Sequence, residues 1–383
     1  MIVTISDTAN RISWRLSDPP AGIAARPSWF DGDMPAYDAF LLVSFGGPEG
    51  PDDVMPFLEN VTRGRRVPPE RLARVAEHYY AVGGVSPINE QCRDLLGAIR
   101  AAFPAAGLSL PVYWGNRNWT PYLADTVRTM ADDGVRRAVA LVTSAYSSYS
   151  SCRQYLEDIE RARAAVGPGA PRIDKIRRFF NHPGFIEPFA ESTRAALATL
   201  PADLRDDAHL VFTAHSIPVA MAEASGPGGT NRYMAELTGA AGLVAERAGG
   251  THPWTLAYQS RSGPPSQPWL EPDVRDHLGE LSKSGTKAVV VIPVGFVSDH
   301  MEVQHDLDVE AAETAGSLGL AFARAATPGR HPRFVAMITE LVRERFALPA
   351  EDQGRLVALG DMGVPSHDCP ADCCRYVRGA SRP

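Results

Sequence analysis

Short apolar, β-branched runs alternate with amphipathic stretches along most of this chain. "DAFLLVSF", "PVYWG", "RAVALVTSAY" and "RIDKIRRF" read as strands of a first half, and "AHLVFTAHS", "WTLAYQS", "KAVVVIPVGF" and "LAFARAA" as strands of a second. Between them, helical patterns cover 70–81, 87–102, 120–133, 183–199, 230–248, 271–283, 301–316 and 331–346. Continuous apolar strands separated by helices require a parallel sheet covered on both faces, and right-handed crossovers then wind it doubly. The predicted fold class is α/β, with two doubly wound parallel-sheet domains and a cleft between them. The boundaries expected are a polar, flexible extension over 1–35, a first domain over 36–182, a second over 183–326, a crossing helix over 327–346 and a cysteine-bearing segment over 347–383. A chain of 383 residues exceeds what one core usually serves, which agrees with two domains.

The unusual residues fall where strands end. "GGP" follows the first strand, "NRNW" the second, "SSYSSC" the third, "HSIP" the fifth, "QSRSGP" the sixth and "VSDHME" the seventh. Open parallel sheets bind ligands beyond the carboxyl ends of their strands, so these six loops point to one site. No G-x-G-x-x-G or G-x-x-x-x-G-K-[ST] spacing occurs, and "FGGPEG" reads as a tight turn rather than a phosphate cradle.

Charge narrows the partners. With Lys+Arg 38 against Asp+Glu 45 the formal charge is -7, which argues against a general nucleic-acid surface and leaves any anionic ligand to a local basic patch. No run is long and apolar enough to span a bilayer, and the first residues do not read as a secretory signal. A cytoplasmic monomer is expected, and in a reducing compartment clustered cysteines argue for metal before disulfide.

The candidate chemistry sits on five features, each with a plainer reading beside it. His215 ends a strand; imidazole exchanges protons near neutral pH, though histidines at such places serve structure as often. Glu302, Asp306 and Glu310 stand at i, i+4 and i+8, one stripe on a helix that is either a solvated face or a path for protons or cations, with Asp299, His300 and Glu302 suited to Fe²⁺ or another divalent ion. Arg63, Arg65 and Arg66 share a loop and match carboxylates if they are more than a solvated turn. Phe45, Tyr146, Tyr149 and Trp269 are aromatic candidates for packing a flat ligand, against the commoner role of filling a core. Cys369, Cys373 and Cys374 are one thiol short of a four-ligand centre. Cys152 is the preferred fourth, with His367 in reserve and Cys92 read as a buried small hydrophobe.

Taken together, "FGGP", "RGRR", "GGVSPIN", "AHSIP", "AYQSRSG", "PWL" and "VGFVSDHMEV" resemble ferrochelatase, in order from about residue 38 to 346. The cysteine arrangement resembles that of actinobacterial members that carry a [2Fe–2S] cluster. The resemblance implies two flavodoxin-like, chelatase-like domains with a porphyrin between them, Fe²⁺ and coproporphyrin III as substrates, and coproheme as product; protoporphyrin IX is the competing porphyrin, and a non-catalytic tetrapyrrole or metal carrier the competing class. It implies that His215 accepts pyrrole protons, that Glu302 stands opposite it, and that Asp306 and Glu310 continue an acidic path. It further implies that Arg63, Arg66 and Ser86 lie in segments that contact the porphyrin carboxylates, through one arginine or the other, with Phe45, Tyr149 and Trp269 as the aromatic candidates for substrate binding, and that Cys152, Cys369, Cys373 and Cys374 hold the cluster. Phe45 cannot ligate iron as a tyrosine at this place in some relatives can, and Asn118 replaces a histidine found in them.

Overall fold

A computed structural model of the chain describes residues 37–64, 67–264, 266–347 and 356–376. The expected extension over 1–35 lies outside them.

Eight described strands form two four-stranded, wholly parallel sheets with the same order. The first runs β2 (Val112–Asn116), β1 (Ala39–Ser44), β3 (Arg137–Val142), β4 (Arg172–Lys175), and the second β6 (Trp254–Gln259), β5 (His209–His215), β7 (Ala288–Ile292), β8 (Ala321–Arg324). Every side chain of β1 and β7 is buried, as a central strand covered on both faces demands. The outer faces pack on α4 (Leu123–Asp132) and α5 (Gln154–Val166) in the first half, and on α9 (Val274–Lys283) and α11 (Ala312–Ser317) in the second.

The inner faces of both sheets share one core. Phe40, Leu42 and Leu141 from the first sheet and Phe212, Val290 and Ile292 from the second meet a cluster of Phe179, Phe180, Phe185, Phe189 and Phe334. Each such fully buried side chain contributes roughly 1.5–3 kcal/mol. The helices here are α3 (Ile88–Ala105), α6 (Pro183–Thr199), α8 (Arg232–Ala248) and α12 (Pro332–Ala347), and α12 packs on both α3 and α6. A further lobe, α1 (Pro51–Val61) and α2 (Pro69–Tyr80), inserts after β1 and buries Phe57, Leu58 and Tyr79 against Met301 of the second half. The helical pattern does not extend to α1 in the sequence, because Pro56 interrupts it and Pro51 opens it.

The last described segment returns over both halves. Arg177, whose side chain is 0% exposed, holds Glu344 of α12 in bidentate fashion at 2.7 and 2.9 Å and donates to Val357 O at 2.9 Å. His367 joins them, its Nδ1 accepting from Arg177 N at 3.1 Å. Burial would raise Glu344, but Arg177 and His367 hold its carboxyl at about 2. A depressed carboxylate stabilises the fold above its unfolded value and ceases to as pH falls through the folded one. The acid transition should therefore include a loss of stability between about pH 4.5 and about 2 that Glu344→Gln lacks. At neutral pH that variant should lose about 3–5 kcal/mol by denaturant unfolding, since it leaves Arg177 buried and unpaired; a loss below about 1 kcal/mol would show the pair to be dispensable.

Candidate active site and thiol pocket

His215 is the last residue of β5. Its Nδ1 lies 2.5 Å from Ser216 O; a carbonyl only accepts, so Nδ1 carries a proton, and in the neutral ring Nε2 is the nitrogen with the free lone pair. Three bonds fix the loop that follows. Val219 N donates to Pro268 O at 3.1 Å, Leu270 N to Ile217 O at 3.0 Å, and the Ser216 hydroxyl to Leu270 O at 2.8 Å. They set Trp269 beside this loop, bridged to Pro218.

His215 Nε2 stands 3.6 Å from Glu302 Oε2. This corrects the expectation that the two face each other across the ligand, because no macrocycle fits within that distance. Imidazole and carboxylate lie side by side. Glu302 keeps 46% of its side chain open to solvent, although protein atoms crowd round its carboxyl. Burial and the neighbouring Asp306 raise its pKa above the ordinary carboxylate value, and His215 partly offsets them.

The expected α-helical stripe takes another form. After α10 (Met301–Val303) the chain opens into a π-helix, Gln304–Ala311, a rare element that is frequent at functional sites. There His305, Asp306 and Glu310 each bring one ligand atom within 4.8 Å of the others. The Ser260 hydroxyl donates to Asp306 Oδ2 from a left-handed backbone at φ 61°, and Arg275 Nη1 pairs with Glu310 at 3.3 Å. Sequence reasoning missed His305, whose ring stacks at 3.9 Å on His78 of α2. It also missed Tyr79, a buried phenol raised by burial and by the fields of Glu302 and Asp306. Tyr79 looks like one more apolar-face residue of α2, and nothing in its spacing sets it apart.

Two expected iron ligands are engaged elsewhere. Asp299 is ion-paired with Arg324 at 3.0 Å and accepts from Thr327 Oγ1 at 3.1 Å. His300 accepts from Val303 N through Nδ1 at 3.4 Å, and burial lowers it to about 4, leaving a neutral ring.

The expected porphyrin contacts divide. Phe45, 36% exposed at the carboxyl end of β1, is backed by the Arg117 guanidinium 5.6 Å from its ring centre. Ser86 is buried beneath the next turn, donating its N–H to Pro48 O at 2.9 Å. Gly47 has to be glycine there, since a Cβ would stand 2.6 Å from that of Ser86. Arg63 is exposed just after α1, while Arg65 and Arg66 lie outside the described residues. Tyr149 opens a π-turn, Tyr149–Arg153, ahead of α5; its hydroxyl donates to Glu157 at 3.0 Å and its ring neighbours Tyr376, so it faces the returning tail. Tyr146 is corrected from a cleft aromatic to a core brace, buried with its hydroxyl on Val294 O at 2.8 Å.

Away from this cleft, Cys152, Cys369, Cys373 and Cys374 meet in one pocket. Cys369 touches both Cys152 and Cys373, and the sulfurs of Cys373 and Cys374 are 3.7 Å apart. Arg178 Nη1 lies 3.4 Å from Cys369 Sγ, and Gly226 N donates to Cys374 Sγ at 3.2 Å. Hydrogen bonds from Cys152 and Cys373, together with Arg178 and Lys175, hold Cys369 below the usual thiol range against the effect of burial. Cys92 is buried in the central core and His367 is bound to Glu344, so neither shares the pocket.

Comparison with known proteins bears on the cleft. The ferrochelatase family model matches residues 37–346. The chain belongs to the ferrochelatase family. It is 54% identical over 353 residues to a protein of Streptomyces coelicolor named coproporphyrin III ferrochelatase, covering 89% of this chain and 94% of that one. A Nocardia farcinica protein of the same name is 55% identical over 347 residues, covering 90% and 98%, and a Rhodopirellula baltica protein named ferrochelatase is 53% identical over 347 residues, covering 90% and 95%. Among solved structures, SirB from Bacillus subtilis with Fe³⁺ shares the fold at a TM-score of 0.50 and 14% identity, over 84% of this chain and 98% of that one. No described helix is long and apolar enough to cross a membrane.

In this ferrochelatase the raised Glu302 keeps its proton to a higher pH than a free carboxyl. Activity should therefore fall on acidification already above pH 4.5, with the loss following protonation of Glu302. Glu302→Gln should lower kcat/KM by about 10²–10⁴ and remove that acid limb; a variant that keeps the wild-type profile would take the limb away from Glu302.

Proposed function

We propose that this chain inserts Fe²⁺ into coproporphyrin III to give coproheme in heme biosynthesis, working in the cytoplasm. The observation that carries the reading is the 3.6 Å approach of His215 Nε2 to Glu302 at the strand ends of a ferrochelatase. The names of the Streptomyces and Nocardia relatives support the choice of porphyrin.

The chemistry moves two protons out and one dication in, with no change of oxidation state. The lone pair on His215 Nε2 takes a pyrrole proton while Glu302, ionised, holds the arriving Fe²⁺ on the same side. Asp306, Glu310 and His305 supply oxygen and nitrogen donors along the approach, a set suited to a borderline dication. Protons pass from His215 to the wet carboxylates and leave by the same route. Walls that hold the macrocycle puckered favour the transition state over the planar substrate, and Phe45 and Trp269 are assigned to those walls. Arg63, Arg66 and Ser86 are assigned to the porphyrin carboxylates. Arginine suits that task because its fork matches a carboxylate.

The thiol pocket is assigned to a [2Fe–2S] cluster on Cys152, Cys369, Cys373 and Cys374. Four converging thiols are the required donor set, and the N–H of Gly226 and the guanidinium of Arg178 aimed at sulfur suit an anionic group. Such a cluster, when bound, supplies a redox-active anion remote from the metal-insertion chemistry.

Anaerobic Fe²⁺ insertion followed side by side should be faster with coproporphyrin III than with protoporphyrin IX, and the reverse order would overturn the substrate assignment. His215→Ala should abolish insertion while porphyrin still binds; near-normal turnover would remove its role as base. Cys152→Ser should strip the visible bands of the cluster from the purified protein, and an unchanged spectrum would exclude Cys152 as a ligand.

A further inference from the structure

One buried ion network runs from the thiol pocket to the catalytic strand. Glu236 of α8 is 0% exposed, a costly place for a carboxylate without partners. Its two oxygens accept from Ser147 N and Ser147 Oγ, both at 2.7 Å, and Arg178 Nε stands 3.4 Å away. Arg232 adds a more distant contact at 3.6 Å. The other end of Arg178 meets Cys369 Sγ at 3.4 Å. Arg178 Nε makes no aligned hydrogen bond, so the charges at its two ends decide where the guanidinium sits.

The same helix reaches the active site. Tyr233 lies one turn before Glu236 and donates its hydroxyl to His215 O at 2.9 Å. Tyr233 N donates to Ser225 Oγ at 2.8 Å, and the neighbouring Gly226 exchanges bonds with Cys374, giving N–H to its sulfur at 3.2 Å and taking Cys374 N–H on its carbonyl at 3.3 Å. Two routes from the thiol pocket thus converge on the residue that braces the carbonyl of His215.

We infer that Arg178 is a positioning residue, coupling the charge held in the thiol pocket to the placement of His215 through Glu236 and Tyr233 of α8. The inference rests on the cluster assignment. An anionic cluster on Cys369 draws the guanidinium toward sulfur and balances the pull of Glu236; with less negative charge in the pocket, Arg178 shifts toward Glu236 and α8 relaxes its hold on the strand end. A cation this close also favours the added electron when a cluster is reduced.

The test compares wild type with Arg178→Met, Arg178→Lys and Tyr233→Phe, each purified with its cluster, by spectroelectrochemical titration and by steady-state metal insertion. Arg178→Met should make reduction about tenfold less favourable, about 59 mV lower for a one-electron couple. It should also lower kcat several-fold at unchanged porphyrin KM. Arg178→Lys should restore both values, which loss of packing alone does not allow. Tyr233→Phe should reproduce the fall in kcat while leaving the potential at its wild-type value. A wild-type potential in Arg178→Met, or a wild-type kcat in either Arg178→Met or Tyr233→Phe, would overturn the coupling. If Arg178→Met does not fold, Tyr233→Phe and Arg178→Lys still decide it. A wild-type protein without the visible bands of a cluster would instead defeat the cluster assignment on which the inference rests.

Discussion

The candidate active site depends on β5 and β7 running parallel side by side, so that both end in the same place. His215 closes the first of these strands, and the segment leaving the second delivers Glu302 within 3.6 Å of it. An imidazole and a carboxylate at this separation present themselves to the same side of any ligand. Both sheets have the same strand order, and their inner faces are welded by one phenylalanine-rich core. That core is what keeps loops from the two halves in fixed register, and dense packing resists the shifts that would separate them.

The acidic segment illustrates how the protein meets the cost of gathered carboxylates. A single α-helix would carry them as an evenly slanted stripe. The π-helix instead collects His305, Asp306 and Glu310 into a donor set, while Ser260 and Arg275 steady Asp306 and Glu310 from other elements. The carboxylates remain wet or paired, which avoids the penalty of burying unpaired charge. Glu302 combines a raised pKa with contact to an imidazole, the pairing of properties that proton transfer requires.

Much of the fold was legible because fully buried strands leave continuous apolar runs, and each of the eight expected runs overlaps an observed strand. Several run past the strand: the run through Tyr146 continues beyond β3, which ends at Val142, because Ala145 and Tyr146 are apolar for the sake of the central core. His215, Glu302 and the four clustered cysteines stood out by residue type and position. The side on which Glu302 stands did not, since a spacing of 87 residues says nothing about which face a loop presents. Asp299 and His300 looked as eligible as Glu302; only their partners, Arg324, Thr327 and Val303, set them apart. His305 and Tyr79 carried no signal, because each acquires its role from residues far off in the chain.

The returning tail gives the thiol pocket a place in the same architecture. It takes Cys152 from the first half and an N–H from Gly226 of the second, so it spans the junction rather than lying on one wall. The central claim, that base and metal-holding carboxylate work from one face, is tested most directly by a crystal structure of the chain with coproporphyrin III and a non-inserting dication. The account predicts the ion between His215 Nε2 and Glu302, with the macrocycle lying to one side of both. A macrocycle seated between the two residues would contradict it.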